Sequence, residues 1–183
     1  MSKEGGGRGR YSIIKVMRNS LVFWGSASLG FVLDQFAKWI IFKKLKEAGV
    51  VSIIPGFLNL LCSENRGSVF GFAQGKNSAL IFFSFIAIGI IIWVYVRSKK
   101  SLMSSSRDAL MKLSLGLILA GAVGNLWDRI VYRYVRDFID IHLGSAYHWP
   151  TFNLADALIC VGIGLMVLET LLLERQRGEE AKR

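Results

Sequence analysis

Apolar positions in this chain gather into four long blocks instead of recurring along one face of short helices or alternating along strands. The blocks are 20–42, 78–96, 109–131 and 152–173, and each approaches or exceeds the ~20 residues that carry a helix across a bilayer. They predict an all-α integral membrane protein with four transmembrane helices, in one polytopic domain spanning 1–183. Two longer connections remain, 43–77 and 132–151. In the first, "VVSIIPGFLNLLC" is β-branched and apolar but broken by Pro55 and Gly56. That pattern reads as short strands or a surface-lying segment rather than a fifth span. The second connection holds a cluster of charged and aromatic residues. The first 19 residues are polar and glycine-rich, and the block after them is long and carries Asp34 and Lys38. It is expected to remain as an uncleaved first helix.

Composition strengthens the membrane reading: 52% of the 183 residues are hydrophobic, which leaves little for a soluble domain. The net charge of +10 would suit nucleic acid in a soluble protein, but its placement gives a different reason for it. Lys3, Arg8, Arg10, Lys15 and Arg18 precede the first block, and Arg97, Lys99, Lys100 and Arg107 crowd the short middle loop. Four more basic residues follow the fourth block. The positive-inside rule then makes both termini and the middle loop cytoplasmic, and nucleic acid is not an expected partner. Trp24 and Trp93 fall near the inner ends of the spans, and Trp39, Trp127 and Trp149 near the outer ends, as interfacial belts require. Cys62 and Cys160 are too far apart in the topology to suggest a disulfide and too few for a metal site. His142 and His148 read as loop or interface histidines rather than metal ligands, so no metal is expected.

Polar residues inside the spans share one depth. Asp34 and Lys38 lie in the outer half of span one, and Asn125, Asp128 and Arg129 at the outer end of span three. Asn153 and Asp156 occupy the first turn of span four, about 6 Å in at 1.5 Å per residue. The i,i+3 and i,i+4 spacings give each helix one polar stripe. By contrast, the inner halves of the spans look nearly free of such residues. Asp34–Lys38 reads either as a structural ion pair or as part of a site, and Asp128–Arg129 either as an interfacial anchor or as part of one. Asn153 suits an N-cap. Asp156 has no basic residue within helical reach, and a charge at the bilayer centre costs ~2.5–3.5 kcal/mol even on the lenient insertion scale.

No serine–lysine, serine–histidine or thiol–histidine pair joins this cluster, so carboxylates remain as the chemistry. Two carboxylates sharing a proton can activate a water and protonate a carbonyl or leaving group. Asp128, Asp137 and Asp140 are the possible partners of Asp156. Asp128, with Arg129 beside it, suits a permanently ionised structural role, and spacing alone leaves Asp137 and Asp140 both open.

Five segments occur in order on this frame: "LDQFAKW", "NRGSVFGF", "GNLWDR", "VRDFID" and "FNLAD". With them the chain resembles, from span one to span four, the lipoprotein signal peptidases (signal peptidase II, aspartic peptidase family A8), bacterial membrane aspartyl proteases. The resemblance implies Asp137 and Asp156 as the catalytic dyad. It implies that Asn65, Gly67, Asn125, Arg129 and Asn153 hold substrate or shape the site, and that Asp34, Lys38 and Asp128 brace it. It further implies a small extracytoplasmic β-sheet in the first outer loop, with a short mobile helix over the site. The implied substrate is a diacylglyceryl-modified prolipoprotein cut just before its lipidated cysteine, at the outer face of the bacterial inner membrane. Membrane lipids would be neighbours, globomycin-type peptides inhibitors, and no cofactor would be needed. Ser68 and Val69 depart from the two alanines the family usually carries there, which bears on pocket shape. Two other classes compete. One is a small proton-coupled transporter relaying through Asp156 or Asp34, with Glu169 its one inner candidate. The other is a non-enzymatic membrane assembly factor.

Overall fold

A computed structural model describes residues 5–47, 49–67, 77–98, 105–144 and 147–180. The chain runs as α1 (Gly5–Leu45), β1 (Val51–Ile54), β2 (Leu58–Asn65), α2 (Asn77–Ser98), α3 (Ser105–Val131), β3 (Val135–Leu143), β4 (Tyr147–His148) and α4 (Leu154–Glu180). Both prolines of the chain, Pro55 and Pro150, lie between elements, so nothing in the long apolar blocks removes a helical hydrogen bond. Three helical stretches are long and apolar enough to cross a membrane: Asn77–Ser98, Asp108–Val131 and Leu154–Leu172. α1 holds the expected first span but is not among them. Asp34, Gln35 and Lys38 dilute its hydropathy, and Asp34 and Lys38 are fully buried against other helices.

α3 is the central helix, packed on α1, α2 and α4. Phe23, Ala27, Ile91, Tyr95, Leu115 and Leu119 form the buried apolar core, with the Phe23 and Tyr95 rings stacked 3.8 Å apart. Outward-facing positions such as Leu21, Val32, Phe82, Phe83, Ile90 and Val161 are largely exposed. Such an apolar exterior is what lipid-facing helices present. Gly121 lets α3 meet α4: a Cβ there would stand 2.2 Å from the Ala155 carbonyl oxygen.

The sheet differs from the expectation of a first-loop subdomain. It is four-stranded in the order β1-β2-β3-β4, and all neighbours pair antiparallel. Half of it therefore comes from the second connection. The segment "VRDFIDIHL" is buried on both faces, which hid the period-2 signal of a strand with one wet side. No short helix occurs among the described residues of the first connection. The Ser68–Val69 departure lies outside the described residues.

A second difference is at the opposite end of the bundle. Asn19, Asp108, Lys112 and Glu169 are buried there, Lys112 donates to the Ser98 hydroxyl, and the Tyr95 hydroxyl reaches Ser20 at 3.1 Å. The helix ends expected to be inner are thus not free of polar groups. Asp108 and Lys112 are i,i+4 neighbours at the start of α3, and Lys112 falls inside the predicted span 109–131.

Candidate active site

Three pieces of chain converge where the sheet meets the helix ends. Only Tyr132, Arg133 and Tyr134 separate α3 from β3, and Arg133 takes the left-handed conformation (φ 67°) that reverses the chain. β3 therefore starts directly over the end of α3. After β4 the chain returns, and Phe152 pairs with Ile139: Phe152 N–H donates to the Ile139 carbonyl at 3.1 Å and Ile139 N–H to the Phe152 carbonyl at 2.8 Å. This bridge sets Asn153, the residue just before α4, against Asp137.

Asn153 caps α4. Its Oδ1 accepts from the Asp156 N–H at 3.1 Å, while Asp156 Oδ2 accepts from the Asn153 N–H at 3.2 Å. That reciprocal arrangement is a capping box built from Asn and Asp. A third helix-end donor, Ala155 N–H, goes to Asp34 Oδ1 at 2.9 Å, so a carboxylate from α1 also satisfies the start of α4. Asp156 is thereby fixed in the first helical turn and stays partly exposed.

Asp137 is 1% exposed. Its Oδ1 accepts from Asn153 Nδ2 at 2.6 Å and its Oδ2 from Asn65 Nδ2 at 2.9 Å. Asn65 reaches it diagonally across the β2–β3 pair, in which Ser63 stands opposite Asp137. The buried Gly67 donates its N–H to Asn65 Oδ1 at 3.0 Å, which turns the amide nitrogen toward Asp137. Asp156 Oδ1 accepts from Asn125 Nδ2 at 2.8 Å. Asn125 Oδ1 in turn accepts from Asn153 Nδ2 at 3.1 Å and Lys38 Nζ at 3.2 Å. Asp137 and Asp156 are thus held by asparagine amides and backbone N–H groups. Burial, first, and the charge of Asp156, second, push the Asp137 carboxyl up from 3.8 to about 7, against the opposing pull of its two asparagine donors. The half-buried Arg129 lies within electrostatic reach of both acids, and its Nη1 donates to the Asn125 carbonyl at 3.4 Å.

Behind this pair lies a charge-balanced brace. Lys38 Nζ is 2.9 Å from Asp34 Oδ2 and 3.3 Å from Asp128 Oδ2, with all three side chains fully buried. Arg136 grips Asp128 through Nη2 at 2.7 Å, Nε at 3.3 Å and its own backbone N–H at 3.0 Å. Gln35 bridges the brace, accepting from Arg136 at 2.7 Å and donating to Asp34 at 3.0 Å. The expected Asp128–Arg129 pairing is replaced by Asp128 with Arg136 and Lys38, because successive helical residues point to different faces. Gln35 and Arg136 escaped the sequence reading, although both stand inside the segments that carried it. Gly124 belongs here too: a Cβ at that position would lie 2.6 Å from Asp34 Oδ2.

Asp140 stands apart. Three residues along a strand from Asp137, it faces the other way, accepting from Asn59 Nδ2 at 3.1 Å and meeting His148 Nδ1 at 3.4 Å. The His142 and His148 rings stack at 5.0 Å.

Comparison with known proteins gives the family. Residues 26–172 match the family described as signal peptidase (SPase) II. The chain is 34% identical over 139 residues to a lipoprotein signal peptidase of Clostridium novyi (strain NT), covering 76% of this chain and 90% of that one. Two solved structures, both described as a bacterial membrane enzyme structure obtained by the in meso method, are each 31% identical to it. They superpose with TM-scores of 0.65 and 0.63, over 80% of this chain and 85% and 90% of theirs. The chain belongs to the signal peptidase II family of membrane aspartic peptidases.

Proposed function

We propose that the protein removes signal peptides from diacylglyceryl-modified prolipoproteins, cutting just before the lipidated cysteine, with Asp137 and Asp156 as the catalytic pair. The observation that carries this reading is an amide network that holds two carboxylates, one of them on β3 and the other in the first turn of α4, where the sheet meets the helix ends. A buried Asp137 that keeps its proton toward neutral pH donates to the scissile carbonyl oxygen. Asp156 takes a proton from the attacking water. The tetrahedral intermediate then collapses as the amide nitrogen of the cysteine is protonated and its bond to the signal peptide breaks. Asn125, Asn153 and Asn65 keep the two carboxyls oriented, Gly67 fixes Asn65, and Arg129 supplies positive potential. Asp34, Lys38 and Asp128 hold the helices under the site.

Four spans in one polytopic unit support this geometry. In α1 the polar residues turn inward while Leu21, Leu29, Val32, Leu33 and Phe36 are exposed, so this helix also offers lipid an apolar face. With basic residues at both termini and in the middle loop, the sheet lies on the outer face of the bacterial inner membrane. A lipid-anchored peptide presents its scissile bond at that depth. Globomycin-type cyclic peptides are expected inhibitors, and the dyad with a water needs no cofactor. The proton-coupled transporter reading gains nothing from either comparison.

The test is incubation of purified protein with a diacylglyceryl-modified prolipoprotein. The expected products are the free signal peptide and a protein whose first residue is the lipidated cysteine, both identified by mass. An uncut substrate, or a cut elsewhere, overturns the reading.

A further inference from the structure

A cavity of roughly 480 Å³ opens on the other face of the sheet from Asp137, between the end of α1 and strands β2 and β3. Arg136 and Glu64, cross-strand partners, look into it, whereas Asp137 and Ser63 point to the opposite side. Its charges are unequally spent. Arg136 is committed to Asp128 at 2.7 Å, and Glu64 to Arg66 at 2.9 Å. Lys43 and Lys46 line the cavity with no carboxylate partner among the described residues. Lys43 has a helix-terminal reason to be there, since cations suit the last turn of a helix. Lys46 lies beyond that helix, and helix-end stabilisation does not account for it.

The walls are aromatic. Lys43 Nζ lies 5.1 Å from the centre of the Trp39 ring, and Arg136 lies 4.3 Å from that of Tyr132. Both rings are substantially exposed, at 52% and 41%. The cavity sits just past the apolar stretch of α1, where headgroups meet acyl chains and where tryptophan and tyrosine concentrate. Two unpaired ammonium groups above an apolar, aromatic wall match an anionic phosphodiester that brings its own hydrocarbon. A free phosphate would leave the wall bare, and a zwitterionic headgroup would add a third cation.

We propose that this cavity binds the headgroup of an anionic phospholipid, with Lys43 and Lys46 on the phosphate and Trp39 and Tyr132 against the glycerol and upper acyl chain. The site rests on the spanning role given above to α1 but not on the catalytic role of the aspartates. A lipid held there would tie the sheet to the membrane surface on the side away from the peptide bond.

Cys62 reports on it directly, because its half-buried side chain lines the cavity. Cys160, the chain's other cysteine, is exposed on α4 and is removed as Cys160→Ser. Burial pushes the Cys62 thiol up, so a neutral alkylating reagent is used at alkaline pH. Rates are compared in nanodiscs of phosphatidylcholine alone and with phosphatidylglycerol added. Phosphatidylglycerol is expected to slow labelling roughly ten-fold, in keeping with two lysines at an anionic surface. In Lys43→Gln/Lys46→Gln, whose side chains are exposed, the ratio between the two membranes is expected to fall to near one. Equal rates in both membranes overturn the site. Equal slowing in the double variant overturns it too, since surface potential then accounts for the effect. Protection by millimolar inorganic phosphate in phosphatidylcholine discs overturns the lipid assignment. Cleavage activity enters none of these readings, so failure here is distinct from failure of the catalytic proposal.

Discussion

The brace and the pair are neighbouring carboxylate sites built on opposite terms. In the brace, Asp34 and Asp128 meet Lys38 and Arg136 at 2.7–3.3 Å, two negative charges against two positive. In the pair, Asp137 and Asp156 receive amide and backbone N–H donors and make no ion pair among the described residues. Charges balanced inside a membrane protein hold helices together. Like charges held by neutral donors must share a proton, and a shared proton is available for chemistry. Asn125 Oδ1 is the joint, accepting from Lys38 of the brace and from Asn153 of the pair.

The comparison breaks most sharply at the pair. Asp137→Asn and Asp156→Asn should each lower cleavage by at least about 10³-fold, the scale of positioned acid–base groups, while the purified protein keeps its helical circular dichroism. The brace should respond through folding instead. Lys38→Met removes the cation that Asp34 and Asp128 share and leaves Asp34 without its ion-pair partner, and removing one partner of a buried pair costs ~3–5 kcal/mol. Thermal unfolding in detergent and the yield of membrane-inserted protein would show it. Gly121→Val is expected to part α3 from α4, because the backbone oxygen it meets cannot move aside, with a loss of ~1–3 kcal/mol in the same assay.

Two smaller effects sharpen the contrast through pH. Asp137, raised to about 7, should give an alkaline limb near that pH in the rate profile and an acidic limb where both carboxyls are protonated. Asn153→Ala removes a donor that favours the charged Asp137, so the alkaline limb should move upward while the lost cap costs ~0.5–2 kcal/mol. Stability follows the same sign. A carboxyl raised in the folded state is most favourable to folding below its unfolded value and loses that contribution as pH rises through about 7. Asp137→Asn should therefore unfold at a higher temperature than wild type by a wider margin at pH 9 than at pH 5. An equal margin at both would place Asp137 in a charge-balanced setting like that of Asp128.

What was legible in the chain followed from how rare polar groups are within apolar blocks. Asp34, Lys38, Asn125, Asp128, Asn153 and Asp156 stood out because each is costly in lipid, and their shared depth pointed to one end of the bundle. Partner choice was not legible, because it is tertiary. Nothing local shows that Asp34 caps α4, that Arg136 rather than Arg129 grips Asp128, or that Phe152 bridges to Ile139 and so brings Asn153 to Asp137. The strand carrying Asp137 was hidden for a related reason: with both faces covered, "VRDFIDIHL" lacks the wet–dry alternation that marks a half-buried strand. At the opposite end of the bundle, Asp108 and Lys112 are buried by the packing of α3, and neither stood out in the chain.

The most direct measurement compares cleavage of one diacylglyceryl-prolipoprotein by Asp137→Asn, Asp156→Asn and Asp140→Asn, each purified and shown to be folded. Asp140 carries the same side chain and sits on the same strand, but it faces Asn59 and His148. The account predicts that the first two proteins are inert and that Asp140→Asn keeps activity within a few-fold of wild type. An active Asp137→Asn beside an inert Asp140→Asn would contradict it.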